Sequence, residues 1–360
     1  MAGRSGWTML LAGAVLAALL TGCGGSTGET PAPTSASEQA GADLLPAAEG
    51  ATSYPLTITS PWGSSELKER PKRIAVLRSA HDAEYLSLLG VTPTLATADM
   101  ADEAWMVDAF PHPIETTVDF SALDGIPYEE IAKAKPDLIV FSSFDLTESY
   151  DKLKAIAPVV AAPKGDDDIS APWQDRMRHL AKVLDLSDAA EAAIAKVENE
   201  FATLRDEHPQ LQGRSVNYLV HYGAEYGLIL QNRTGESSEH FLDQLGLAHS
   251  PVADRAPQEG ISNEFIGELD ADLLVLSDNT YDDTSGTSEI GEITNLPLYQ
   301  NLPVVQQGRA VVLTNTLTGF KVGEKETEGN LPWAIARTGP IGQLWAARIL
   351  APLLDETLQG

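Results

Sequence analysis

The chain has 360 residues, 43% hydrophobic and 6% aromatic, with a formal net charge of −28. That charge argues against nucleic acid, whose phosphates need Lys and Arg, and against spontaneous adsorption to anionic lipid. An anionic ligand stays open, because a local basic cleft can oppose the global field. The one cysteine, Cys23, excludes an intramolecular disulfide, so an apolar core must hold the fold; the length suits two lobes or one large domain.

Residues 1–22 read as a signal peptide. Arg4 supplies a positive start, and Trp7 to Leu20 forms an apolar run of about 14 residues, too short for an ordinary membrane span. Leu20-Thr21-Gly22-Cys23 follows, which resembles the lipobox of bacterial lipoproteins. The resemblance implies cleavage before Cys23 and acylation of its sulfur, so Cys23 is the expected lipidation site. Residues 23–52, rich in Gly, Ser, Thr, Ala and Pro, are expected to be a flexible tether. No second long apolar run follows, so the membrane would be met through the lipid alone.

The first strong strand is RIAVL (73–77), followed by the helix HDAEYLSLLG, closed by Gly90. TPTLAT offers a short strand. PYEEIAKAKPDLIVFSS (127–143) is a short helix, a stop at Pro136 and a buried strand; YDKLKAIAPVVAA adds another helix and strand. Strands alternating with helices imply parallel βα units. From Asp188 to about Glu207 there is neither Gly nor Pro, and Ala190, Ile194, Val197, Phe201 and Leu204 recur at helical spacing. This predicts a helix roughly 30 Å long, with Ser187 or Asp188 as its N-cap. Beyond it the pattern resumes: SVNYLVHY is a strand, SSEHFLDQLGL a helix, SNEFIGELDADLLVLSD a helix and a strand, RAVVLTN a late strand and GPIGQLWAARILAPLLDE a closing helix.

Two segments match. YEEIAKAKPDLIVFSS and NEFIGELDADLLVLSD place Glu129 opposite Glu264, Ile131 opposite Ile266 and Asp137 opposite Asp272, and the upstream helix endings LSLLGV and LDQLGL also correspond. The expected fold is therefore α/β. An N-terminal lobe (53–186) and a C-terminal lobe (210–360) carry parallel-rich sheets and are joined by one backbone helix (187–209). The ligand cleft lies between the lobes, where strand carboxyl ends converge.

This ordered set of segments, from about Pro71 to Leu354, resembles the helical-backbone substrate-binding proteins of iron–siderophore, haem and cobalamin ABC importers. The resemblance implies two rigid lobes and a non-catalytic monomer on the extracytoplasmic face of the cell membrane. It also implies delivery of a ferric siderophore to an ABC permease and its ATPase, and docking through one acidic residue per lobe, matching Glu129 and Glu264. Read apart from the resemblance, each is an ordinary first-turn carboxylate favoured by the helix dipole.

Strand-end topology nominates Arg78, Ser143, Phe144, His221, Tyr222, Asn279, Tyr281 and Asn315 as ligand contacts. Trp105, Trp173 and Trp333 could supply flat pocket walls, and Arg233 and Arg337 positive charge. His81 reads as a helix-start residue. Haem stays an alternative through His221 and Tyr222, and cobalamin another. The seven histidines form no pair or tract that suggests a metal site, and no cofactor is expected. A secreted acidic hydrolase is the alternative of another class, though no GxSxG, HExxH, P-loop or CxxC motif is present.

Overall fold

The computed structural model describes residues 43–77, 80–98, 103–120, 125–142, 145–162, 172–282, 284–337 and 339–359. The first lobe opens with an antiparallel hairpin, β1 (Leu56–Ser60) and β2 (Gly63–Leu67). There follow β3 (Ile74–Val76), α1 (Ala80–Leu88), β4 (Leu95–Thr97), β5 (Thr116–Val118), α2 (Tyr128–Ala134), β6 (Leu138–Val140), α3 (Tyr150–Lys154), β7 (Val159–Val160) and α4 (Trp173–Leu184). The strands form one five-stranded parallel sheet in the order β5-β4-β3-β6-β7. β3 and β6 are buried on both faces, as a sheet covered by crossover helices requires. Ile74, Val76, Leu138 and Val140 face the central core, while Ala75, Ile139 and Phe141 face an outer one.

α5 (Ser187–Glu207) joins the lobes, and it buries Ala190, Ile194, Val197, Phe201 and Leu204 as its spacing predicts. Its N-terminus differs from expectation. Ser187 is already helical, and the Glu49 carboxylate accepts from Asp188 N and Ala189 N at 2.8 Å each. Asp185 in turn accepts from Gly50, Ala51 and Thr52 N at 2.8 Å each. Burial would raise the Asp185 carboxyl; these backbone donors, with Arg70 nearby, hold it below its ordinary value. The last residues of the expected tether therefore belong to the folded body. A Gly- and Ala-rich composition gave no hint that its backbone donors meet a waiting carboxylate.

The second lobe comprises β8 (Ser215–His221), β9 (Leu228–Leu230), α6 (Ser237–Gln244), β10 (Ala248–His249), α7 (Asn263–Ile266), β11 (Leu273–Asp278), α8 (Gly291–Thr294), α9 (Pro297–Gln300), α10 (Pro303–Gln306), β12 (Ala310–Asn315), β13 (Gly319–Val322), β14 (Lys325–Glu328), α11 (Leu331–Arg337) and α12 (Pro340–Gln359). β10, β8, β11 and β12 run parallel; β13 and β14 extend the sheet antiparallel, and β9 pairs β8. One apolar core runs from Val76 and Leu86 through Ile194 and Phe201 to Tyr218, Leu313 and Leu350, so both lobes and the connecting helix share it.

The sequence repeat has a physical counterpart. Asp137, just before β6, accepts from Lys72 N and Arg73 N at the start of β3 (2.9 and 2.8 Å). Asp272, just before β11, accepts from Ser215 N (2.9 Å) and Ser215 Oγ (3.0 Å) at the start of β8. Each carboxylate ties the beginnings of two neighbouring parallel strands and sets their register.

A second tie crosses between the lobes. Glu84 of α1 is fully buried. Its Oε1 accepts from Trp105 Nε1 (3.0 Å) and Gly339 N (3.3 Å), and its Oε2 from Ile341 N (2.7 Å) and Gly342 N (3.2 Å). One side chain thus satisfies the otherwise orphaned first N–H groups of α12. Burial pushes its carboxyl up to about 8 against the pull of these donors.

Asp137→Ala and Asp272→Ala each lose a half-buried strand-start acceptor and should lower stability by about 1 kcal/mol in urea unfolding; no loss in either would mean the ties are incidental. Glu84→Ala should cost about 3 kcal/mol, since several buried N–H groups lose their acceptor. Folded Glu84 keeps its proton up to about pH 8, whereas its ordinary value is 4.5. Unfolding in that interval releases a proton, so the contribution is full below about pH 4.5 and fades as pH rises through about 8. The stability difference between wild type and Glu84→Gln should shift in that direction across the window; a constant difference would contradict it.

Candidate functional site

The parallel register brings the carboxyl ends of β8, β11 and β12 side by side. His221 pairs with Asp278, and Asp278 with Thr314. Tyr222, Asn279 and Asn315 are the next residues along β8 and β11 and the last of β12, with Asn279 N donating to His221 O (2.9 Å) and Asn315 Nδ2 donating to Asn279 Oδ1. Buried Asp278 accepts from Thr280 N (2.9 Å), Thr280 Oγ1 (2.6 Å) and Ser288 Oγ, which folds the following loop back over the sheet end. Within that loop Tyr281 meets Lys321 of β13, whose Nζ donates to its hydroxyl at 2.8 Å and lies 4.2 Å from its ring centroid.

A pocket of about 330 Å³ lies between the lobes. It is built from helix beginnings. His81 is the second residue of α1; Trp173, Gln174 and Arg176 lie in the first turn of α4; Ser237 opens α6; and Gln343 is the fourth residue of α12. His81, Trp173, Arg176 and Gln343 are buried and form its floor, while Pro172, His240 and Asp243 are exposed at its rim. Gln244 Nε2 donates to Gln343 Oε1 (3.3 Å), and Gln343 Nε2 donates to Ser237 Oγ (3.2 Å), so three polar groups of the C-lobe wall hold one another in place. Trp173 is 9% exposed and its Nε1 has no hydrogen-bond partner. Burial, then the Glu239 charge, raises the Asp243 carboxyl, while His240 and His249 pull it down. Among the described residues no His, Cys, Asp and Glu group is arranged to hold a metal ion.

The structure sorts the residues nominated from sequence. Trp173 lines the pocket. Tyr222, Asn279, Tyr281 and Asn315 gather at the C-lobe strand ends, and Trp333 is 44% exposed on α11. His221 is buried beneath the strand end, so Tyr222 alone of that pair is open. Trp105 is not a free pocket wall: its indole N–H is bound to Glu84 and its ring lies 5.2 Å from Trp345. Arg233 is held by Glu236 (2.6 Å) and by Pro257 O (3.0 Å), locking the approach to α6. Cys23, Arg78, Ser143 and Phe144 lie outside the described residues, and Arg337 is described only as a residue of α11. Sequence reasoning missed Gln174, Arg176, Ser237, His240, Asp243, Gln244 and Gln343. Ser237, His240 and Gln244 do share a helical face, but a polar face reads as solvent-exposed unless the opposing lobe is known.

Two parallel-rich sheets joined by one long helix, with a pocket lined by helix beginnings from both lobes, define a bilobed solute-binding architecture. The periplasmic binding protein family model matches residues 74–317, and the chain belongs to that family. It is 23% identical over 280 residues to a Bacillus subtilis (strain 168) protein named "Probable siderophore-binding lipoprotein YfiY", covering 73% of this chain and 81% of that one. A periplasmic solute binding protein from Mycobacterium smegmatis matches with a TM-score of 0.64 and 23% identity over 84% of this chain and 98% of its own. Streptococcus pneumoniae PiaA, solved in complex with ferrichrome, matches with a TM-score of 0.64 and 19% identity over 84% and 98%. The family is one of transport components, which removes the hydrolase alternative.

Proposed function

We propose that the protein is a lipid-anchored extracytoplasmic receptor that captures a ferric siderophore in the interlobe pocket and delivers it to an ABC permease. The carrying observation is the pocket itself, which sets polar side chains beside Trp173 and Pro172 and lies where helix beginnings from both lobes meet. The relative carries the name of a probable siderophore-binding lipoprotein and one structural neighbour was solved with ferrichrome, which supports this ligand over haem or cobalamin. Cys23 would carry the acyl chains, each buried CH₂ contributing about 0.8 kcal/mol to membrane attachment. The chain ahead of the fold, residues 23–42, serves as the tether, and the protein works as a monomer. Tyr222, Asn279, Tyr281, Asn315 and Trp333 would flank the guest, with Arg78, Ser143, Phe144 and Arg337 as further contacts.

Glu129 and Glu264 would dock the permease. Both are exposed in the first turn of their helices, α2 and α7. Each helix leads into the strand whose preceding aspartate forms the repeated tie. The two carboxylates therefore occupy corresponding places in the two lobes, suited to paired arginines on a two-fold partner. Glu264 is held below its ordinary value by its own backbone N–H and by Ser262.

Calorimetric titration with ferric siderophores, haemin and cyanocobalamin tests the ligand: saturable binding of a ferric siderophore alone is expected, and tighter binding of haemin or cobalamin would overturn the assignment. Glu129→Arg combined with Glu264→Arg should leave chelate affinity within about twofold and reduce uptake by at least about tenfold. Unchanged uptake by that double variant would remove docking from both residues.

A further inference from the structure

Glu129 and Glu264 stand in corresponding places of the two lobes, yet their surroundings differ. Glu264 lies in a segment held on one side by the β8–β9 turn. That turn is closed by Gly227 N donating to Gly223 O (2.7 Å) and Tyr222 N donating to Gly227 O (2.9 Å). Just beyond it, Leu228 O accepts from Ile261 N (2.8 Å), three residues ahead of Glu264. Gly260 passes so close that a Cβ there would lie 3.5 Å from Tyr226 O. On the other side α7 packs on α9, and a Cβ on Gly267 would lie 3.4 Å from Leu298 Cδ2. Tyr226 is 63% and Leu298 43% exposed, and Glu264 is exposed with them. Large apolar side chains scattered singly in solvent are ordinary; here two of them flank the one segment that carries this carboxylate. Glu129 has no such company. Among the described residues, none of the exposed large apolar side chains belongs to α2. Its surroundings carry charge instead: Lys133 pairs with Glu130 at 3.6 Å, and Lys152 Nζ lies 5.7 Å from the Tyr128 ring centroid.

The difference has an energetic consequence. An ion pair left in water contributes little and fades with salt. Apolar side chains that close around it exclude water and strengthen it. A tyrosine on a turn already closed by backbone hydrogen bonds supplies contact area at low entropic cost. The partner of such a patch must offer a cation to Glu264 within an apolar rim. A second copy of this chain, of net charge −28, is disfavoured by like charge, and so is an anionic lipid surface.

Resting on the docking role proposed above, we propose that Tyr226, Glu264 and Leu298 form one permease-binding patch, in which the two apolar side chains close over the ion pair between Glu264 and a basic side chain of the permease. The N-lobe contact through Glu129 stays solvated, so the C-lobe end holds the complex. Binding of the full chain to the ABC permease–ATPase complex of the same cell, held in nanodiscs and read by surface plasmon resonance at about 50 and 500 mM NaCl, tests this. Tyr226→Ala combined with Leu298→Ala should weaken binding about tenfold at both salt concentrations, with the thermal melt unmoved. Glu264→Gln should weaken it by a similar factor at low salt, and Glu129→Gln by less than about threefold. Tyr226→Ser, on the exposed turn alone, should weaken binding about threefold and replaces the pair if the pair lowers the melt. Unchanged affinity in the folded apolar variant, or a loss in Glu129→Gln as large as in Glu264→Gln, would overturn the patch. A wild-type dimer in sedimentation velocity that the apolar variant abolishes, with permease affinity unchanged, would give the surface to a second copy and overturn it equally. No binding by the wild-type chain would overturn the docking role itself, an outcome distinct from these.

Discussion

Glu84 joins the start and the end of the folded chain. Its carboxyl group lies more than 250 positions from the α12 residues that donate to it, yet it replaces the missing first turn of that helix. Neither partner is easily satisfied otherwise. Without Glu84 the N–H groups of α12 would be orphaned in a buried interface, and without α12 a buried carboxyl would lose most of its donors. The contact is therefore obligatory for both lobes. α12 continues along α5, where Arg348 pairs with Glu200 (2.9 Å) and Asp355 meets His208 (3.0 Å). With the core shared across lobes and helix, these contacts favour a fixed interlobe geometry. A pocket framed by such contacts is largely preformed, so a guest need not drive a large closure or bear its entropic cost.

Inside each lobe the same device recurs on a smaller scale. Asp137 and Asp272 accept from the first backbone groups of a neighbouring strand. Register matters because Ile74, Val76, Leu138 and Val140 share the inner face, and a slip of one residue would turn them outward. The same holds for Val216, Tyr218, Leu273 and Val275. Once register is fixed, the short helix before each tied strand has one place to go. That is why Glu129 and Glu264, each eight residues ahead of its aspartate, end in corresponding positions.

Much of this plan was legible in the sequence because it is local or periodic. RIAVL, DLIVF and DLLVL read as buried strands, and the Ala190-to-Leu204 spacing read as one face of a long helix; both hold. The repeat was legible as a pattern, though its cause was not, since an aspartate before a strand does not say whose N–H it will accept. The pocket was largely illegible. Its walls come from α4, α6 and α12, whose polar residues look like solvent-facing positions until the opposing lobe encloses them. Trp105 shows the converse error. An indole in a loop suggests a pocket wall, but here its N–H belongs to Glu84, a partner that only the tertiary fold reveals. Glu49 was hidden likewise, because its segment has the composition of a tether while its carboxylate caps α5.

The acidity of the chain and the local groups of its pocket act over different ranges. Net charge is felt by an approaching solute but is screened over about 8–10 Å in physiological salt. Helix beginnings act within a single turn and reach only atoms already seated in the pocket. Total charge thus acts on approach, whereas the groups of the pocket wall act only on a solute already at hand. The same acidity would favour a basic surface facing the exposed Glu129 of α2 and Glu264 of α7, should these two carboxylates dock a partner as proposed.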